Sequence, residues 1–423
     1  MRTALAVLTS CLPAFTAAGQ PGILLADRNI DALWRLVDAD GNNQIADPSE
    51  VSLFFDGTNA AGTLAPQNPT ALNSWFDGRV VMGDQVNRCV YVLRDLDGDG
   101  NAQGVGESLV AADASNLSGA SFAFPVGVAF DSAGVAYVVN AGNALGADAV
   151  YRLVDLNGDG DFNDEGEITA YVGEGGFGPG NGPFSPQEAF FDPSNTMFIR
   201  NSSSSGVAVH GVYRAVDLNH NGKADDPGEF TLFFGPGNAS GLSTSAGFAV
   251  EPDPLRPGSI YMLLIATGGV DVVYRLTDLN GDGDAMDSGE SVEVWRTGET
   301  GFTSIDLLAL ADGSLLVSDN SGKRVARLED LDDDGLFSTT GERTDYFVSV
   351  TGPVGDVRQL TPVYVCRADF NQDGFLDFFD LDAFVGCFEG VACPPRAGGD
   401  FDGDGFSDFF DLDAYLAAFD LGC

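Results

Sequence analysis

Asp155-Leu156-Asn157-Gly158-Asp159-Gly160-Asp161-Phe162-Asn163-Asp164-Glu165-Gly166-Glu167 is the clearest copy of a segment that recurs six times. The copies begin at Asp38, Asp95, Asp155, Asp217, Asp278 and Asp330, 52 to 62 residues apart. A period of that length marks a structural repeat. A strand-like run precedes each copy, such as Val150-Tyr151-Arg152-Leu153 or Val273-Tyr274-Arg275-Leu276. Another follows, such as Ile168-Thr169-Ala170-Tyr171-Val172, so the acidic segment closes a β-hairpin. Upstream in most units lies a second hairpin, seen in Val126 to Phe130, a turn at Asp131 to Gly134, then Val135 to Val139.

Four strands in about 60 residues, repeated six times, point to an all-β fold, a six-bladed β-propeller over residues 19–365. The first unit begins at Gly22-Ile23-Leu24-Leu25-Ala26-Asp27, which matches a second strand rather than a first. The segment Val357 to Val365, after the sixth unit, is expected to supply the missing innermost strand and leave no open sheet edge. In pattern the units resemble NHL-type and TolB-like six-bladed propellers, a likeness that implies the fold and little about activity.

With 63 Asp+Glu against 20 Lys+Arg the formal net charge is -43, yet 44% of residues are hydrophobic and 10% aromatic. That is too apolar for a disordered acidic tail. Carboxylates crowded this closely repel one another, so folding calls for counter-cations. Divalent cations are the implied partners, and nucleic acid is not.

Positions one, three and five of the six segments are Asp or Asn throughout. They are Asp38, Asp40 and Asn42; Asp95, Asp97 and Asp99; Asp155, Asn157 and Asp159; Asp217, Asn219 and Asn221; Asp278, Asn280 and Asp282; and Asp330, Asp332 and Asp334. Gly holds position six in five copies, with Asn43 the exception, and a Glu stands at thirteen in all: Glu50, Glu107, Glu167, Glu229, Glu290 and Glu342. Alternating oxygen ligands let a backbone wrap one hard cation, and Gly at six permits the sharp turn. The segment resembles an EF-hand calcium loop lengthened by one residue. That resemblance implies Ca²⁺ in a structural role, with the Glu as closing ligand. Turn chemistry also favours Asp, Asn and Gly, but it does not call for a fixed Glu. The first and sixth copies depart most from the pattern. Position ten is Asp in four copies, Asp47, Asp164, Asp226 and Asp287.

Residues 366–423 carry two shorter loops 31 residues apart. Positions one, three, five, nine and twelve are Asp369, Asn371, Asp373, Asp377 and Asp380 in one, and Asp400, Asp402, Asp404, Asp408 and Asp411 in the other. Apolar residues follow each at helical spacing: Leu381, Phe384, Val385 and Phe388, then Leu412, Tyr415, Leu416 and Phe419. A calcium loop plus a following helix, used twice, resembles a type I dockerin. The resemblance implies two antiparallel helices, a cohesin-like or other docking partner and, at one remove, polysaccharide-degrading assemblies. Dockerins make their contacts at loop positions ten and eleven, commonly with small hydroxyl residues. Here Phe378-Phe379 and Phe409-Phe410 stand there, either enlarging a tiny core or forming an exposed apolar docking face. Cys366, Cys387, Cys393 and Cys423 allow three pairings. The dockerin likeness, by bringing the module's ends together, favours Cys366 with Cys423 and Cys387 with Cys393. Cys89, in the alternating run Cys89-Val90-Tyr91-Val92-Leu93, reads as a buried, inert thiol.

Met1-Arg2-Thr3, the apolar run Ala4 to Phe15 and Thr16-Ala17-Ala18 read as a signal peptide over residues 1–18, hence a secreted, extracellular protein. Leu8-Thr9-Ser10-Cys11 also resembles a lipoprotein processing box, though the apolar stretch before Cys11 is short for one. No other segment approaches the ~20 apolar residues of a membrane span. No serine elbow, zinc motif or phosphate loop appears. The two histidines are His210 and His220, the latter inside an acidic loop.

In a propeller the acidic hairpin loops and the inter-blade crossings lie on opposite faces, and a ligand site belongs near the axis on the crossing side. Polar residues recur there at second-strand ends: Asp27, Asp84, Asn140, Asn201, Thr267 and Asp319. Propeller lactonases hold a metal at that mouth, and Glu188 could join Asn140 and Asn201; the simpler expectation is that these side chains cap their own loop backbone. The combined expectation is a secreted, calcium-stabilised binding or scaffold protein, with a carbohydrate or small ligand on the crossing face. A propeller hydrolase or lactonase is the alternative.

Overall fold

The computed structural model describes residues 22–421, apart from 76, 142–147, 174–184, 203–208, 245–246, 248, 266–269, 299–301, 350–351, 364–367, 372–375, 377, 395–396 and 402–405. The signal-peptide segment 1–18, Cys366 and Cys423 therefore lie outside the described residues. Among the described residues twenty-four strands form six antiparallel sheets of four. Blade 1 takes its innermost strand, Leu360–Val363, from the end of the repeat and pairs it with Gly22–Asp27. The expected splice is there, and it closes the ring. Blades 2 to 6 begin with the innermost strands Pro69–Ser74, Pro125–Phe130, Pro186–Phe191, Val250–Pro252 and Ser304–Ala309. Each innermost strand touches the next around the axis, the last returning to Leu360–Val363.

Side chains alternate sides along a strand, and here both sides are covered. In the second strand of blade 1, Ile23 and Leu25 pack toward blade 6 while Leu24 and Ala26 pack toward blade 2. The result is six apolar clusters, one in each seam between neighbouring blades. Cys89 sits in the seam between blades 1 and 2, and burial pushes its thiol up to about 12. It is the inert thiol expected.

The innermost strands add a polar ring at the axis. Asp306 of blade 6 accepts the Leu360 N–H of blade 1 at 2.6 Å, Asn73 of blade 2 donates to Val128 O of blade 3 at 2.9 Å, and Glu188 of blade 4 accepts the Val250 N–H of blade 5 at 3.1 Å. Gly127 serves the seam between blades 3 and 4 differently. A Cβ there would come within 3.0 Å of Gln187 O and Glu188 Cα.

After the propeller come two helices, α1 (Phe378–Phe388) and α2 (Phe409–Leu421). Phe384 stacks on Tyr415, ring centroids 4.2 Å apart, with Phe370 and Phe401 set edge-on around the pair. A Cys387–Cys393 disulfide closes the segment after α1. The helices are not isolated from the propeller. Their core is continuous with the seam of blades 2 and 3 around Trp75, Phe122 and Phe130. Among the described residues no helix is long and apolar enough to cross a membrane.

The seam packing makes a direct prediction. Phe337, 5% exposed between blades 5 and 6, should cost about 3–5 kcal/mol of unfolding free energy when replaced by Ala. Urea unfolding of Phe337→Ala checks this, and an unchanged midpoint would show that the seam does not bear on stability.

Candidate metal centres

The six acidic loops share one internal scheme. The Asp at position one accepts the backbone N–H of position six in every copy, at 2.7–2.9 Å, from Asn43, Gly100, Gly160, Gly222, Gly283 and Gly335. Position six lies at positive φ each time. Gly adopts that conformation freely and Asn tolerates it, which explains why Asn43 is the acceptable exception.

The Glu at thirteen spans the loop. One oxygen accepts the N–H of position two and the other that of position ten, all at 2.7–3.1 Å: Ala39 and Asp47 on Glu50, Leu96 and Gly104 on Glu107, Leu156 and Asp164 on Glu167. Leu218 and Asp226 on Glu229, Leu279 and Asp287 on Glu290, and Leu331 and Thr339 on Glu342 repeat it. All six Glu side chains are at least 95% buried. Their first task is to tie the two ends of the loop together.

Position eight carries the loop's outward connection. Ile45, Ala102, Phe162, Ala224, Ala285 and Phe337 are buried, and each donates its N–H to a carbonyl in the outer strand of the preceding blade: Tyr346, Phe54, Ala111, Tyr171, Phe233 and Val294, at 2.6–2.9 Å. The loop of blade 1 thereby latches onto blade 6, so the series is circular. An arginine in the third strand of the preceding blade also leans on several loops. Arg327 donates to Asn43 Oδ1 at 2.9 Å and Arg275 to Gly335 O at 2.9 Å. A Cβ at Gly283 would meet Arg214 Nη1 at 3.2 Å. Neither position eight nor these arginines was assigned a role from sequence. The signal was an apolar residue at position eight in every copy, but position two is apolar throughout as well, so the pattern alone did not single it out.

The carboxylates left over are brought together. Asp38, Asp40 and Glu50 offer oxygens within 4.8 Å of one another, as do Asp95, Asp97 and Asp99, and Asp330, Asp332 and Asp334. An oxygen-only set of this kind suits a hard divalent cation. In blade 4 the converging trio is Asp225, Asp226 and Glu229, not Asp217 with its neighbours. There Asn219 Nδ2 donates to Asp226 at 2.6 Å, and Asn157 and Asn280 likewise bind Asp164 and Asp287. An amide at position three therefore draws the Asp of position ten inward. The first and sixth loops, the least regular in sequence, have Asp at three, as does the second, and in all three that Asp is part of the converging trio. Desolvation and then the charges of Glu167, Asp159 and Asp161 push the Asp164 carboxyl above its ordinary value. Asp332 is raised the same way, by desolvation and then by Asp334. A cation would relieve both.

In the C-terminal pair, Asp411 repeats the Glu scheme one residue shorter, accepting Phe401 N–H at 2.6 Å and Asp408 N–H at 2.7 Å. Asp380 accepts Asn371 N–H at 3.0 Å. Asp369, Asp380 and Asp411 are buried, and Asp408 is exposed. Asp373, Asp377, Asp402 and Asp404 lie outside the described residues.

On the crossing face the second-strand residues cap backbone. Asp84 accepts Gln67 and Asn68 N–H, Asn140 accepts Phe124 N–H, Asn201 accepts Ser185 N–H, and Asp319 accepts Thr303 N–H, at 2.6–3.0 Å. Asp27 holds Asn29 N–H and Gly355 N–H; Thr267 is outside the described residues. Asn140 and Asn201 thus pin the incoming crossings, while Glu188 belongs to the axial ring. His210 is half-buried, its imidazole pushed below its ordinary value by desolvation and then by Arg200. His220 occupies a positive-φ turn position of its loop.

The sequence matches no protein-family profile, and no curated protein matches it. Among solved structures it is similar to a chain of a nidogen/laminin complex, 11% identical with a TM-score of 0.50, covering 81% of this chain and 98% of that one. TolB from Acinetobacter baumannii gives 13% identity and a TM-score of 0.47 over 82% of this chain and 67% of that one. The gluconolactonase XC5397 from Xanthomonas campestris gives 15% and 0.43 over 81% and 90%. At these identities what is shared is the fold.

Glu167→Gln tests the loop scheme. An amide NH₂ would then face a backbone N–H at a site 1% exposed, costing about 1–3 kcal/mol. Urea unfolding should show that loss. A wild-type midpoint would remove the Glu from its assigned role.

Proposed function

We propose that the protein is secreted and works as a calcium-stabilised binding or scaffold module, recruited to an extracellular assembly through residues 366–423, a dockerin-like unit. Ca²⁺ held in the six blade loops and the two C-terminal loops would discharge a surface of formal net charge -43 and lock each hairpin loop. The Cys387–Cys393 disulfide suits an oxidising, extracellular setting.

The observation that carries the docking part is the exposure of four aromatic rings. Phe378, Phe379, Phe409 and Phe410 are 80%, 70%, 77% and 70% exposed, so they do not enlarge the module's core. They stand at positions ten and eleven of the two loops, where dockerins make their contacts. Exposed phenylalanines paired this way are what an interface centre needs. Asp382, Asp408 and Asp413 are exposed close by in sequence. The partner therefore presents an apolar patch with a basic rim rather than the hydroxyl-matching surface of a typical cohesin.

The alternative, a hydrolase or lactonase with a metal at the axial mouth, would draw on Asn140, Asn201 and Glu188. Their hydrogen bonds to backbone favour the binding reading.

Two measurements test this. Elemental analysis after dialysis against micromolar CaCl₂ should return four or more calcium ions per molecule, matching the four converged carboxylate trios, and none bound would end the calcium reading. A pull-down from the producer's own secretome with the full chain should retain a partner that is lost with Phe378→Ser/Phe379→Ser/Phe409→Ser/Phe410→Ser. Equal retention by the variant would end the docking reading.

A further inference from the structure

At the acidic-loop end of the axis, where the innermost strands finish, lies a cavity of about 120 Å³. Its wall is aromatic. Trp75 of blade 2, Phe130 of blade 3, and Phe190 and Phe198 of blade 4 line it, with Ile260 of blade 5 beside them. The ring centroids of Trp75 and Phe130 are 5.5 Å apart, and Phe190 stacks on Phe198 at 5.3 Å, so the rings hold one another in place. The C-terminal unit closes the remaining side through Cys393, Pro394 and Ala397. It comes that close because residue 398 is glycine: a Cβ there would run into Ser132 O. An aromatic pocket where two units of a chain meet is a favoured place for a small ligand.

The polar groups on this wall are already committed. Asp131 accepts the Ala133 and Val135 N–H groups, both at 3.0 Å, and the Tyr137 hydroxyl at 3.1 Å. Asp192 accepts from Ser194 N, Ser194 Oγ and Thr196 N at 2.7–2.9 Å. Asp253 accepts the Leu255 N–H at 3.0 Å and pairs with Arg256 at 3.2 Å. Asn73 donates to Val128 O at 2.9 Å and accepts the Ser74 N–H at 2.8 Å, and the Ser259 hydroxyl meets that of Thr277 at 2.7 Å. The guanidinium of Arg79, over the Phe130 ring, is likewise bonded to Gly134 O at 2.8 Å. Among the described residues no buried side-chain N or O of this lining lacks a partner. Desolvation, the largest influence on the Asp131 carboxyl, pushes it above its ordinary value, as an apolar surrounding does.

A carboxylate placed here would meet three of its own sign. An ammonium would have to compete for oxygens that hold the turns, and a sugar would leave its hydroxyls unmatched. What the wall offers freely is ring and methylene surface. A cavity of about 150 Å³ lined by Leu, Ile and Phe stays dry and takes benzene, and this one is of similar size.

We infer that the cavity binds a small neutral apolar molecule of the monocyclic aromatic class, seated among Trp75, Phe130, Phe190 and Phe198. The inference goes beyond the proposed function. The blade loops and the exposed Phe pairs take no part in the lining, so the calcium and pull-down tests can fail without touching it.

The test is isothermal titration of the full chain, kept in CaCl₂, with toluene. Benzoate and benzylammonium carry the same ring with a charge, and glucose offers a polar ring of comparable size. Toluene should bind, and the other three at least tenfold more weakly, since each would bury unmatched polar or charged groups. Ala397→Leu, which fills the cavity from the C-terminal side, should weaken toluene tenfold or more. A thermal melt checks that this variant is folded. If it is not, Pro257→Trp, at an exposed position of the rim, takes its place with the same expected loss. No binding of toluene, equal or tighter binding of benzoate, benzylammonium or glucose, or unchanged affinity in the folded variant would overturn the inference.

Discussion

One hydrogen bond, repeated six times, holds the outer rim of this ring together: the N–H of position eight in each acidic loop to the outer strand of the preceding blade. Innermost strands pack against one another around the axis, but outer strands diverge, and a propeller of antiparallel sheets needs something to bridge them. Here the bridge is a loop of thirteen residues whose carboxylates repel. It keeps its shape because Asp at position one and Glu at position thirteen fold their oxygens onto backbone N–H groups, and the remaining carboxylates are left facing one another. Rim cohesion and the convergence of the carboxylates thus come from one loop geometry.

The same logic, shortened by a residue and followed by a helix, recurs at the C-terminus. Asp411 does for its loop what Glu167 does for a blade loop. What differs is the use of the neighbouring residues. In the blades the apolar residue at position eight turns inward to a seam, whereas in the C-terminal unit the Phe pairs at positions ten and eleven turn outward. The first arrangement ties the chain to itself, and the second leaves four aromatic rings exposed.

Much of this was legible in the sequence because it is local and periodic. The 52 to 62 residue period gave the blade count, and the missing first strand before Gly22 foretold the splice at Leu360–Val363. The burial of Cys89 followed from alternation. The roles of Ile45 or Phe337 and of Arg275 or Arg327 were not read. Their partners lie in the preceding blade, and nothing in a local pattern says which strand a side chain will meet. For the same reason the merging of the helices' core with the seam around Trp75 and Phe130 was not foreseen. The second-strand residues followed the bland expectation, since Asp84, Asn140 and Asn201 cap crossing backbone. The exposure of the Phe pairs had to be seen, because sequence allowed core and surface alike.

Amide hydrogen exchange at the six position-eight residues, with and without Ca²⁺, tests the central claim most directly. The account predicts that removing calcium leaves protection along the innermost strands largely intact while the amides of Ile45, Ala102, Phe162, Ala224, Ala285 and Phe337 lose it together with the outer strands they bridge. Unchanged protection at those six amides in the calcium-free protein would contradict it.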